Sequence, residues 1–67
     1  MREARLRAGL EQLPPEQREV LRLRYNESLP SQEIAQRIGK SDGAVRVMLT
    51  RALKRLQTVL EEMPEKD

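Results

Sequence analysis

Ser31-Gln32-Glu33-Ile34-Ala35-Gln36-Arg37-Ile38-Gly39, followed by Lys40-Ser41-Asp42-Gly43-Ala44-Val45-Arg46-Val47, decides the fold. Ser31 is a candidate N-cap for a short helix over 32–38, and Glu33 suits its positive first turn. Ile34, Ala35 and Ile38 recur at i, i+1 and i+4 and define an inward face. Gly39 stands where a helix commonly ends in a left-handed residue. Ser41 can cap a second helix, and Asp42 suits its first turn. Ala35 is small enough to let that helix cross closely, and Ala44 and Val45 are expected to pack back against Ile34 and Ile38. A short helix, a glycine turn and a longer helix restarting within a few residues is the sequence form of a helix-turn-helix.

Working outward, Val45, Leu49, Ala52, Leu56, Val59/Leu60 and Met63 keep one apolar stripe, and Pro64 stops it. The spacing predicts a helix over 42–62, about 30 Å long at 1.5 Å per residue. The opposite face carries Asp42, Gly43, Arg46, Val47, Thr50, Arg51 and Lys54. In a helix-turn-helix the N-terminal turns of the second helix meet base edges in the major groove. Arg pairs in bidentate fashion with guanine, and Thr or Val can touch a thymine methyl. The candidate DNA-binding set is therefore Ser41, Asp42, Gly43, Arg46, Val47, Thr50, Arg51, Lys54 and Arg55, the last two placed for phosphate. Arg18, Arg22, Arg24 and Lys40 are further candidates for backbone contacts. An alternative is that Arg51 and Arg55 pair with Glu61/Glu62 or with the second helix. Surface pairs of that kind are worth little and would not exclude a DNA role.

Towards the N-terminus, Pro14 and Pro15 separate two helical patterns. Leu6, Leu10 and Leu13 predict a first helix over 2–13, which Gly9 weakens by about 1 kcal/mol relative to Ala. Pro15 suits the first turn of a helix over 15–27, where its missing N–H is harmless. Val20, Leu21, Leu23 and Tyr25 are expected to supply its apolar faces, and the loop Asn26–Ser31 is broken by Pro30. No strand-length alternation occurs. The expectation is an all-α fold: four helices in one domain spanning 1–67, around a three-helix core of the homeodomain-like or winged-helix-like kind.

Composition narrows the function. The 67 residues carry 13 Lys+Arg against 11 Asp+Glu, for a net charge of +2. That near-balance hides a basic segment, in which Lys40, Arg46, Arg51, Lys54 and Arg55 face Asp42 alone, followed by an acidic tail of Glu61, Glu62, Glu65 and Asp67. A basic stripe on one element is the footprint of a phosphate-binding surface. There is no Cys and no His, so no zinc site of the usual kinds, no thiol nucleophile and no imidazole base is available. No glycine-rich phosphate loop appears, and the carboxylate pairs Glu16/Glu19 and Glu61/Glu62 lie at helix ends as ordinary charges. Neither catalysis, nor a cofactor, nor a metal is expected. The longest apolar run, Val47-Met48-Leu49, is far short of the ~20 residues of a membrane span, and no signal-peptide core is present. Tyr25 is the only aromatic, which argues against reading single strands by stacking. A helical, cytoplasmic binding module is expected.

Leu13-Pro14-Pro15-Glu16-Gln17-Arg18-Glu19-Val20-Leu21-Arg22-Leu23-Arg24-Tyr25 resembles the opening of region 4 of bacterial sigma factors, the promoter-recognition subunits of RNA polymerase. Gln32 to Gly39, Gly43 to Arg46 and Leu49 to Leu56 continue the likeness, which covers roughly residues 5–60 and is nearest the extracytoplasmic-function group. The resemblance implies a four-helix domain that reads the −35 element of double-stranded promoter DNA. It implies docking on the β flap of the RNA polymerase core, through the surface around the second and third helices, and an anti-sigma factor as a further partner. Carried onto matching positions, Arg46, Thr50 and Arg51 face DNA. The chain departs from the family at Ala44, where Thr is usual, and at Val47 and Met48, where polar or basic residues are usual.

Two other readings stand beside it. The response-regulator type of helix-turn-helix shares the Arg-Glu-Val-Leu and Glu-Ile-Ala motifs, but Tyr25 and Thr50-Arg51-Ala52 favour the sigma type. A protein-interaction module that docks on polymerase or an anti-sigma factor without reading DNA would use Val47, Met48 and the acidic tail. No segment of the chain resembles the region that melts the −10 element. An excised C-terminal domain is expected over a free-standing one.

Overall fold

The computed structural model describes residues 2–63. Four helices follow one another: α1 (Arg2–Glu11), α2 (Pro15–Leu21), which runs on into a π-helical turn over Arg22–Asn26, α3 (Ser31–Ile38) and α4 (Asp42–Glu62). No strand occurs among the described residues. The 21-residue α4 is the spine, and α1, α2 and α3 all pack on it.

Each boundary has a local cause. α1 ends two residues short of the expected Leu13, because the Gln12 and Leu13 amides bond the Gly9 and Leu10 carbonyls at 3.1 Å, an i→i−3 pattern that tightens the last turn. Pro15 takes the first position of α2. The expected helix over 15–27 changes character after Leu21. The Glu27 amide reaches back five residues to the Arg22 carbonyl at 3.3 Å, and the Leu29 amide reaches the Leu23 carbonyl at 3.1 Å. This wider turn keeps Leu23 buried and swings Tyr25 out, leaving it 59% exposed rather than on an apolar packing face. Ser28, at φ 56°, then reverses the chain towards Pro30.

The glycine turn is as expected: Gly39 adopts φ 73°, ψ 36°, and the Lys40 amide closes on the Ala35 carbonyl at 3.0 Å. Ser41 caps α4, its Oγ accepting from the Ala44 amide at 3.1 Å. Ser31 does not cap α3. Pro30 holds the cap position without a side-chain bond, and Ser31 is the first helical residue. With the chain already turned at Pro30, its hydroxyl is free to bond across the motif to Asp42.

The core is wholly apolar: Leu13, Val20, Leu21, Leu23, Ile34, Ala35, Val45, Ala52 and Val59 form one buried cluster. Ile34 and Val45, on the two helices of the motif, are fully buried. Ala44 and Ile38 are only half-buried, at the margin of that crossing. Leu49, Leu56 and Met63 are partly buried against the cluster, so the α4 stripe holds along its length. Near the Leu56–Leu60 end of that stripe, α1 packs close. A Cβ on Gly9 would stand 2.8 Å from Leu60 Cδ2 and 3.3 Å from Leu56 Cδ1. Gly9 therefore allows a close approach and is more than a weak point in α1. Pro64 lies outside the described residues; Met63 leaves the helix in an extended conformation, its amide bonding Val59 and Leu60.

Candidate nucleic-acid interface

The Ser41 cap and the Gly39 turn fix where α4 begins, and the Ile34–Val45 packing fixes which face it buries. The remaining face presents the candidate residues in order. Gly43, Arg46, Val47, Thr50, Arg51, Lys54 and Arg55 are all exposed. Arg46 has 70% of its side chain in solvent, and Val47 is 48% exposed. No heavy atom stands within 4 Å of a Cβ built on Gly43, so this glycine leaves a bare backbone at the start of the helix rather than serving a packing need. Ser41 is occupied as the cap. Asp42 is partly buried, accepting the Ser31 hydroxyl at Oδ1 and lying 3.1 Å from Arg46 Nε at Oδ2.

The four candidate phosphate residues outside α4 divide differently. Lys40 Nζ lies 3.7 Å from Glu16 Oε2 on an exposed edge. Arg22 is held by Glu19 at 2.9 Å and Glu27 at 2.7 Å, and Arg37 approaches Glu27 at 3.7 Å. These bonds hold the Glu19 carboxyl below its ordinary value and raise the Arg22 guanidinium further above its own. Arg24 Nη1 donates to the Leu29 carbonyl at 3.1 Å, closing the turn after the π segment. Arg18 is half-buried and points to a different surface from the α4 reading face: with Arg22 it lines a groove between α1, α2 and α4. By contrast, Arg51, Lys54 and Arg55 form no ion pair among the described residues. They gather with Gln12, Gln17 and Thr58 around a polar hollow of about 530 Å³, whose rim also includes Glu62.

The groove was not anticipated from the sequence. It measures about 740 Å³ and is lined by Leu6, Leu10, Leu21, Tyr25, Leu53 and Leu56, with Arg7, Arg18 and Arg22 at its edges. Leu6, Tyr25 and Leu53 stay exposed there, although each is large and apolar or aromatic. The available signals were Leu53, which falls off the buried stripe of α4, and Tyr25, the lone aromatic.

A short helix turned through a left-handed glycine onto a longer, basic-faced helix defines a helix-turn-helix protein. The family model for sigma-70, region 4, matches residues 3–56, and the chain belongs to that family rather than to the response-regulator type. It is 47% identical over 53 residues to the ECF RNA polymerase sigma factor ShbA of Streptomyces griseus, covering 79% of this chain and 28% of that protein. It is likewise 47% identical over 53 residues to the ECF RNA polymerase sigma factor SigD of Mycobacterium tuberculosis and of Mycobacterium bovis, covering 79% of this chain and 25% of each. The chain thus spans only about a quarter of the length of these relatives. No solved structure matches it. No helix among the described residues is long and apolar enough to cross a membrane.

Proposed function

We propose that this chain reads the −35 element of promoter DNA as part of a sigma factor, and that it does so by binding rather than catalysis, in the cytoplasm. The observation that carries this reading is the exposed face of α4. Arg46, Val47, Thr50 and Arg51 fill the turns just after the Ser41 cap, and all four are exposed. In this reading Arg46 and Thr50 meet base edges, Val47 meets a thymine methyl, and Gly43 lets the phosphate backbone come close. Arg51, Lys54 and Arg55, without an ion pair among the described residues, take phosphates where α4 leaves the groove. Lys40 and Arg24 add flanking contacts; Arg18 and Arg22 are turned to other uses.

The apolar groove supports a second contact by the same chain, with the β flap of the polymerase core. Exposed Leu6, Tyr25 and Leu53 offer the surface for that contact. An anti-sigma factor would compete for such a surface.

An amide chemical-shift titration with duplex DNA at low salt tests the DNA reading. Shifts clustered on 41–55 that fade as salt rises are expected. Shifts confined to scattered Lys and Arg would instead favour a domain that docks on polymerase without reading DNA.

A further inference from the structure

Asp42 is a carboxylate on a surface that must approach phosphates, where an unpaired negative charge opposes binding. It is neither unpaired nor loose. Its Oδ1 accepts the hydroxyl of Ser31, the first residue of α3, and its Oδ2 lies 3.1 Å from Arg46 Nε. The carboxylate is two-thirds buried, with 32% of its side chain exposed, whereas Arg46 is 70% exposed. An i,i+4 ion pair between two free surface side chains fixes little. Here one partner is already anchored, because the bond to Ser31 comes from the other helix of the motif and holds the carboxylate in place. The neighbouring hydroxyl, that of Ser41, accepts from the Ala44 amide as the α4 cap.

The consequence lies in the geometry of the guanidinium. Its N–H groups form a rigid fork, and bidentate reading of guanine O6 and N7 uses two of them. Asp42 Oδ2 lies nearest Nε, at 3.1 Å, so the ion pair falls on that side of the guanidinium and leaves the two terminal nitrogens without an ion pair among the described residues. As DNA approaches and water leaves, the carboxylate–guanidinium interaction strengthens. We propose that Asp42 is a positioning residue: anchored by Ser31, it holds Arg46 by Nε so that its terminal nitrogens face the base, and so sets the base preference at that position. This rests on the reading that α4 enters the major groove. It differs from that reading in taking Asp42 off the list of direct contacts and making it act through Arg46.

The test is a specificity cycle on the 67-residue chain. A randomised duplex library yields the preferred sequence, and affinities for its single-base variants are then measured for wild type, Asp42→Asn, Arg46→Ala and the double variant. Asp42→Asn is expected to lower the preference at one base pair about tenfold, the scale of one bidentate contact. That base pair is the one at which Arg46→Ala loses its preference. In the Arg46→Ala background the same change should alter the preference less than about twofold, while raising affinity for all duplexes by removing a negative charge. The Arg46 Nε–H resonance of the free protein should shift in Asp42→Asn, which a purely structural role would not cause. Ser31→Ala keeps the pair but loses the anchor, and should move preference the same way, guarding against a variant that misfolds. An unchanged preference in Asp42→Asn overturns the proposal and leaves the DNA reading standing. An equal loss in the Arg46→Ala background also overturns it, since Asp42 would then act directly. A wild-type chain that selects no sequence overturns both.

Discussion

The Arg5 guanidinium donates to the carbonyl oxygen of Leu60, 55 residues away, and lies 3.4 Å from that of Met63. The last carbonyls of a helix have no intrahelical partner and carry the negative end of its dipole. Arg5 supplies a cation at that end of α4, which has no basic residue in its own last turn. It thereby ties the first helix to the last.

Arg5→Ala should therefore free both ends at once. A hydrogen bond from a charged group to a partly buried acceptor contributes about 1.5–3 kcal/mol, so thermal melting should fall by very roughly 10 °C for a domain of this size. Hydrogen exchange should speed up first in α1 and in the last turn of α4. A variant that melts like wild type would show that apolar packing alone holds α1 down.

Gly9 tests that packing directly. On propensity alone, Gly9→Ala should gain about 1 kcal/mol. The new methyl would meet Leu60 Cδ2 at 2.8 Å, and crowding of a packed interface costs about 1–3 kcal/mol. Leu60 can rotate its tip, so the alanine variant should come out near neutral rather than stabilised. Gly9→Leu has no such escape and should lift α1 from α4. Chemical denaturation of the two variants reads both outcomes, and a full propensity gain in Gly9→Ala would show that the approach is looser than described.

Acid should act through Glu19. The Arg22 hydrogen bond holds its carboxyl below the ordinary 4.5. The folded state therefore binds this proton less tightly than the unfolded chain. The stabilisation is fully present above about pH 4.5, the unfolded value, and is lost as pH falls through the lowered folded one. The pair is fully exposed, so the effect is small. Glu19→Gln should melt slightly below wild type at neutral pH, and the two curves should merge in strong acid. A gap independent of pH would mean that the variant acts through something other than this charge.

What could be read from the chain, and what could not, divides by distance along it. Gly39, Ser41 and the Val45–Met63 stripe were legible because each obeys a rule written within one or two helical turns. Ile34, Ala35 and Val45 were legible as a core because the turn between them is short. Ser31 was misread as a cap, since its hydroxyl answers to Asp42 across the turn and Pro30 already sets the helix start. Gly9 looked like a defect because Leu56 and Leu60, which need its bareness, lie some fifty residues on. Tyr25 was placed on a packing face by a 3.6-residue period, and the π turn breaks that period just before it. Arg22 drew attention as a cation, while its two carboxylate partners lie on either side of the same turn.

The exposed face of α4 makes the most demanding prediction, because two of its cations should behave differently. Arg46 lies in the turns expected to meet bases, so Arg46→Ala should cost about 1–3 kcal/mol against the preferred duplex and relax the choice at one position. Lys54 lies two turns further on, among residues placed for phosphate, with no acidic partner among the described residues. Lys54→Ala should weaken binding to every sequence alike and reduce the slope of log K against log salt by about one. Titrations of both variants at several salt concentrations, against preferred and scrambled duplexes, separate the two roles. Equal losses by both variants on every duplex would mean that this face attracts DNA without reading it.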